Sequence, residues 1–339
     1  MVKWHFKYYL FNRGTPVSAG VYITDGCNCR CKMCNLWKNK EINVYPIDYQ
    51  KKAIDCLAKV GCYYYSISGG EPTLVKDLPE RLRYATQRLP YVHLVTNGLL
   101  MDQALACELN KTGLQEISIS IDGDKELHNE IRGRKDAFDK ALKALQILQE
   151  YAPNINIVIN SLLTKNSLQG LKKLNKIIDF KSKIKQKLLP ISYHSLFKNT
   201  GSSLNFDAPE ASDTEMDDFL DNAIKNQQII NSKVFLQKAK LFFRGKDNLI
   251  PEQATCYYPY HAIEFDSHGT AFPCLTGLNG KDGCPAKDDL QKYLRSREYR
   301  NTQKKLGSCQ KCNKTMPVCY YEPRLNFPIT NLIKGSFLK

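Results

Sequence analysis

The sequence predicts an α/β fold in which a parallel sheet of six strands curls into a partial barrel, followed by a small cysteine-rich α+β module. Strand-like and helix-like segments alternate through residues 17–195, and alternating β and α elements assemble into parallel sheets. Right-handed crossovers then curl such a sheet. The module is predicted by a change of texture after Ala254. Six of the thirteen cysteines fall between Cys256 and Cys319, among Gly, Pro and Tyr, as in small folds stapled by metal.

Each element has its own signal. Val17–Thr24 reads as the first strand, and Asp48 caps a helix over Asp48–Val60. Tyr63–Ser68 is rich in aromatic and branched residues and reads as a strand. Helix Asp77–Arg88, strand Tyr91–Val95, helix Met101–Lys111 and strand Gln115–Ile121 follow. Lys135–Tyr151 carries Ala141, Leu142, Leu145 and Leu148 in an amphipathic helical pattern. Strand Ile155–Ser161, helix Leu168–Phe180 and strand Leu188–Ser195 complete the alternation. Lysines are dense over Lys172–Lys187, but Leu171, Leu174, Ile177 and Ile178 fall at helical spacing, so that run reads as a solvated helix face. Asn199–Pro209 is a Gly/Ser/Asn/Pro-rich linker, and Ala211–Gly245 reads as helical. The expected boundaries are 1–16 for an N-terminal extension, 17–198 for the barrel, 199–250 for the linker and helical segment, 251–322 for the module and 323–339 for a tail.

Composition narrows the classes. The chain has 339 residues, enough for one large domain and a smaller one. It contains no run of 18 apolar residues, so no transmembrane helix is expected. Thirteen cysteines without a secretion signal argue for metal binding in a reducing, cytoplasmic compartment rather than for a disulfide framework. The formal charge of +15 suits an anionic substrate, nucleic acid or an anionic membrane, or reflects a Lys-rich surface. Residues 1–14 are aromatic and basic, either a packing segment or a membrane-surface contact. Aromatic and basic residues interleave only there, so no nucleic acid is expected as a partner.

The chemistry begins after the first strand. Cys27, Cys31 and Cys34 form a C-x3-C-x2-C run. Soft thiolates select iron–sulfur clusters or zinc, and three thiols leave one iron of a four-iron cluster open. Zinc is the alternative, usually closed by four ligands in paired spacing. In parallel α/β folds, sites lie at the carboxyl ends of strands, and this run follows the first strand directly. Ser68-Gly-Gly-Glu-Pro-Thr-Leu74, Thr96-Asn-Gly98 and Ser120-Ile-Asp-Gly123 follow the next three strands. Each therefore adds polar or glycine residues to one rim.

C-x3-C-x2-C followed by Gly69-Gly-Glu-Pro72 resembles the radical SAM superfamily over residues 17–196. The resemblance implies a partial (β/α)6 radical SAM barrel. It implies a 4Fe–4S cluster on Cys27, Cys31 and Cys34, with S-adenosylmethionine (SAM) bound to the open iron by its amino and carboxylate groups. A flavodoxin- or ferredoxin-type donor would deliver the electron that cleaves SAM, and the 5′-deoxyadenosyl radical would take a hydrogen atom from a substrate C–H. By position, Gly69, Gly70 and Glu71 hold the SAM amino group, and Asn97 joins the cofactor rim. Ser120 meets the ribose, Arg132 the carboxylate, Asn160 the ribose or carboxylate, and Leu196 the adenine. Met33 stands where an aromatic residue is common, with Trp37 as the replacement, and Cys29 reads as a spectator.

The pattern C-x12-G-x4-C-gap-C-x2-C resembles the SPASM/twitch extension of the same superfamily over residues 250–322. That implies one auxiliary 4Fe–4S cluster on Cys256, Cys274, Cys309 and Cys312, with Cys319 able to replace either of the last two. A zinc ribbon is the alternative. Cys284 and Cys319 are candidate hydrogen-atom donors. The first strand begins by about residue 17, so no N-terminal cobalamin domain is expected, nor a leader-recognition domain. The expected reaction is dehydrogenation, epimerisation or C–X bond formation on a sugar, lipid headgroup or peptide. Peptide maturation with a separate leader-recognition protein is the alternative. A non-catalytic iron–sulfur or nucleic-acid-binding protein is the reading from another class.

Overall fold

The computed structural model describes residues 15–178, 184–191, 210–245, 255–311 and 316. Residues 1–14, Leu196, Cys312, Cys319, the 199–209 linker and the 323–339 tail lie outside the described residues. Eight strands form one sheet in the order β6-β5-β4-β3-β2-β1-β7-β8. They are β1 (Ser18–Tyr22), β2 (Tyr64–Ser68), β3 (Tyr91–Thr96), β4 (Glu116–Ser120), β5 (Asn156–Leu163), β6 (Lys185–Pro190), β7 (Ala262–Phe265) and β8 (Ala271–Phe272). All neighbours pair parallel except the β7–β8 hairpin.

Period-two patterning gives the sheet two unlike faces. Val21, Ile67, Leu94, Ile119 and Ile159 face the helices and are buried. They pack with α1 (Ile47–Val60), α2 (Leu78–Thr86), α3 (Gln103–Asn110), α5 (Ala137–Tyr151) and α6 (Leu168–Ile177), whose buried residues join the same core. Each such side chain contributes about 1.5–3 kcal/mol on burial. The other face is polar. Gly20, Ser66, His93 and Glu116 stand in one register row across β1–β4. Ordinary all-parallel sheets are apolar on both faces, so this face is set apart for something other than packing.

Four differences from the sequence expectation have physical causes. Residues Lys125–Arg132 form a helix, α4. Asp124 caps it by accepting from Leu127 N–H at 3.3 Å, and Gly133 ends it at φ 63°. Strand β6 begins at Lys185 rather than Leu188, because Gln186 and Leu188 are buried on the helix-side face between half-buried lysines. The 211–245 segment is two helices, α7 (Asp213–Lys225) and α8 (Lys233–Phe243), split by capping residues. Finally, β7 pairs parallel with β1, matching Ser18 to Ala262. The C-terminal segment therefore supplies strands to the main sheet.

The outer edge of β6 is closed locally. Leu188 N–H donates to Asn231 Oδ1 at 2.7 Å, and Asn231 Nδ2 donates to Leu188 O at 2.8 Å. One amide side chain thus imitates a neighbouring strand. Among the described residues, no helix is long and apolar enough to cross a membrane.

Candidate functional site

The carboxyl ends of β1–β5 gather most of the described residues expected at the cofactor rim. Strand β1 runs into Thr24–Gly26, where the glycine turn after β2 meets it. Gly70 N–H donates to Thr24 O at 2.7 Å and Glu71 N–H to Gly26 O at 2.8 Å. A methyl group at Gly70 would overlap Gly26 O, so only glycine permits this approach. The cysteine loop and the glycine turn are therefore one unit.

Glu71 is 1% exposed. Oε1 accepts from Thr73 N–H at 3.1 Å, Thr73 Oγ1 at 2.6 Å and Thr96 Oγ1 at 2.6 Å, and Oε2 accepts from Asn97 N–H at 2.8 Å. Burial raises its pKa against these four donors. The carboxylate ties the turn after β2 to the turn after β3.

The loop itself is pinned from α4. Arg30 N–H donates to Arg132 O at 3.0 Å, and Lys32 N–H to Ile131 O at 2.9 Å. Asn97 Nδ2 donates to Asn28 Oδ1 at 2.7 Å and reaches Cys29 Sγ at 3.4 Å. Cys27, Cys29, Cys31 and Cys34 share one packing cluster with Leu99, Ala137 and Met33. Hydrogen bonding with the Cys29 thiol lowers Cys27 and, with the Arg132 charge, overcomes burial to bring Cys31 down to about 7. Burial pushes Cys34 up to about 12. Cys29 is held well above the thiol range by its bonds to Cys27 and Cys31, so it keeps its proton beside two thiols that lose theirs more readily.

Arg132 is held by Asp122, Nε to Oδ2 at 2.6 Å and Nη2 to Oδ1 at 3.0 Å, leaving Nη1 4.0 Å from Cys31 Sγ. Burial raises Asp122, but Arg132 and His128 outweigh it and keep the carboxyl well below its usual range. Asp122 Oδ1 also accepts from Leu162 N–H at 3.0 Å. Ser120 and Asn160 are register partners at the ends of β4 and β5. Among the described residues, Asn160 Oδ1 is buried without a hydrogen-bond partner, a cost a bound polar ligand would relieve.

These features fit a thiolate-held cluster and a polar, zwitterionic ligand: an acidified thiol, a guanidinium beside it, and an orphaned amide oxygen. Among the described residues, no three His, Cys, Asp or Glu side chains stand round a single-ion point. A four-iron core spreads its thiolates over separate irons.

The C-terminal cysteines gather elsewhere. Cys256, Cys274 and Cys309 share a packing cluster with Tyr258, Ala262 and Leu306. Cys256 N–H donates to Gly307 O at 2.7 Å, joining the start of this segment to the end of the helix Arg297–Gly307. Glu264 pairs with Phe272, so continuing the hairpin brings Cys274 level with Ala262, opposite Ser18. The second group therefore lies at the amino end of β1 and the first beyond its carboxyl end. The eight residues Ser18–Asp25 span roughly 23 Å when extended. Cys284 joins neither group. It packs in the helix-side core and lines a cavity of about 400 Å³ with Cys56, Tyr45 and Phe265. Burial raises both Cys56 and Cys284 to about 11.

Sequence reasoning missed Asp122, Asp25 and Asn43. Asp122 lies inside the quoted Ser120-Ile-Asp-Gly123 turn, and its partnership with Arg132, ten residues on, was the available signal.

A parallel sheet that gathers a cysteine loop and a glycine turn on one rim defines an α/β protein with a thiol-rich site at the carboxyl ends of its strands. Residues 21–173 match the family model described as the Radical SAM superfamily, and this part of the chain is a radical SAM domain. The chain is 32% identical over 186 residues to Fe-coproporphyrin III synthase of Methanosarcina barkeri, covering 54% of this chain and 45% of that protein. It is 28% identical over 162 residues to the PqqA peptide cyclase of Granulibacter bethesdensis, covering 47% and 43%. The chain spans less than half the length of these curated relatives. The structure of Streptococcus suis SuiB bound to precursor peptide SuiA shares the fold, with a TM-score of 0.68 and 19% identity over 94% of this chain and 74% of that one.

Proposed function

We propose that the chain is a radical SAM enzyme whose substrate is a peptide segment. The observation that carries this reading is the joint between the cysteine loop and the glycine turn, made by Gly70 and Glu71 donating to Thr24 and Gly26. It holds thiols and turn together where a ligand of an open iron would lie.

Cys27, Cys31 and Cys34 would hold the 4Fe–4S cluster. When bound, it supplies the electron that cleaves SAM to the 5′-deoxyadenosyl radical. Glu71 braces the turn through its donors and keeps an acceptor site on Oε2, which with the backbone carbonyls of Gly69 and Gly70 would receive the SAM ammonium. Arg132, oriented by Asp122, takes the carboxylate. Ser120 and Asn160 meet the ribose. Cys256, Cys274 and Cys309, completed by Cys312 or Cys319, hold one auxiliary cluster. A flavodoxin- or ferredoxin-type protein is the electron donor.

A relative named as a peptide cyclase and a structural neighbour bound to a precursor peptide support a peptide substrate.

Anaerobic reconstitution with SAM and dithionite is the test. 5′-Deoxyadenosine should form above a Cys31→Ala control; none would favour the non-catalytic iron–sulfur reading. Deuterium should pass from a labelled peptide into 5′-deoxyadenosine, and transfer only from a labelled sugar would reject the substrate class.

A further inference from the structure

The glycine of the second cysteine pattern, Gly269, is not near the cysteines that define that pattern. It sits at the far tip of the β7–β8 hairpin. The tip is a tight turn in which Gly269 N–H donates to Asp266 O at 2.9 Å and Asp266 Oδ1 accepts from Thr270 N–H at 2.8 Å. Gly269 has φ +80°, and a methyl group there would overlap the Tyr45 ring. Tyr45 is 1% exposed and stacks on Phe265 of β7 at 6.0 Å. Its N–H donates to Ile23 O at 2.8 Å, just beyond β1.

A second contact lies beside the first. Ser267 Oγ donates to Asp25 Oδ2 at 3.4 Å across 242 positions of sequence. Asp25 is two residues before Cys27 and is buried. It also accepts from Asn43 N–H at 2.6 Å and Asn43 Nδ2 at 3.0 Å. The hairpin tip therefore presses on both strands of the small antiparallel bridge, Thr24 with Val44, from which the cysteine loop departs.

We propose that Ser267 and Gly269 are positioning residues for the Cys27–Cys34 loop, acting through Asp25 and Tyr45. The proposal rests on the radical SAM reading only for its consequence at SAM. The positioning itself concerns the polypeptide. One strand pair, β1–β7, carries a cysteine group near each end, and the tip of the second segment fixes the root of the first loop. The C-terminal segment is then a working part of the SAM site, although its own cysteines lie at the opposite end of the strands.

The test uses the full chain and two variants, Ser267→Ala and Gly269→Ala. Amide hydrogen exchange is read in the metal-free protein. Protection of residues 24–34 should fall about fivefold in Ser267→Ala, the worth of one net hydrogen bond, and further in Gly269→Ala, with β3–β5 amides unchanged. Ser267→Ala combined with Asp25→Asn should lose no more protection than Asp25→Asn alone. In reconstituted protein, SAM should bind Ser267→Ala about fivefold more weakly at unchanged iron content. Wild-type protection of residues 24–34 in Ser267→Ala overturns the proposal, whether or not Gly269→Ala folds. So does a loss spread evenly over β3–β5, which would mark a merely structural role. A wild-type protein that binds no SAM rejects the radical SAM reading, while the exchange result still decides the positioning.

Discussion

Glu71 shows how much of a motif residue's carboxylate can be spent on the protein itself. Oε1 accepts from Thr73 and Thr96 and Oε2 from Asn97, and an amide that keeps its oxygen at the Oε1 place would turn its NH2 toward the Asn97 N–H. Glu71→Gln should therefore cost about 3 kcal/mol, read from urea unfolding of the metal-free protein. His93 makes a second residue-scale prediction. Tyr64 Oη at 2.7 Å and Ser66 Oγ at 2.9 Å flank its Nδ1, and Ser118 Oγ lies 2.8 Å from Nε2. Burial, with Lys187 nearby, pushes its pKa down to about 3. The unfolded chain takes up a proton near pH 6.5 while the folded protein does not, so stability is full above that pH and is lost as pH falls toward 3. Between pH 7 and 5 this group should remove about 2 kcal/mol. His93→Gln should show a flatter acid limb, and an equal slope in both proteins would refute the assignment. The sequence alone exposed the three cysteines and the glycine turn, because local spacing carries them. It could not expose Asp25, whose partners are Asn43 and Ser267, since nothing local relates those positions.

At the scale of elements, alternation and capping made most of the barrel readable, and the misreadings share a cause. Helix α4 buries only Leu127, His128 and Ile131, so its apolar stripe is too thin to stand out, although Asp124 and Gly133 mark its ends. Strand β6 opens with Lys185-Gln-Lys187, which looks solvated until the sheet buries Gln186. Its edge shows how the fold ends a sheet without another full strand. Asn231→Ala would strip Leu188 of both amide partners. About 2 kcal/mol should be lost, with faster hydrogen exchange at Leu188. Unchanged exchange there would mean that water replaces the side chain at no cost.

At the scale of the whole molecule, the pairing of β1 with β7 joins positions more than 240 residues apart, which no local pattern announces. The pairing separates the two cysteine groups by the length of a strand while leaving them on one sheet, so each should load without the other. Metal content tests this directly. After anaerobic reconstitution, the full chain should carry about eight irons. Cys256→Ala, Cys274→Ala or Cys309→Ala should each remove about four and leave SAM binding in place. Cys27→Ala or Cys31→Ala should remove the other four and abolish SAM binding. Cys56→Ala, Cys62→Ala and Cys284→Ala change thiols packed in the helix-side core and should remove none. Zinc in place of the second four irons would reject the auxiliary cluster while leaving the first intact. Loss of all iron from either set of variants would show that the β1–β7 pair transmits loading between its ends rather than insulating them.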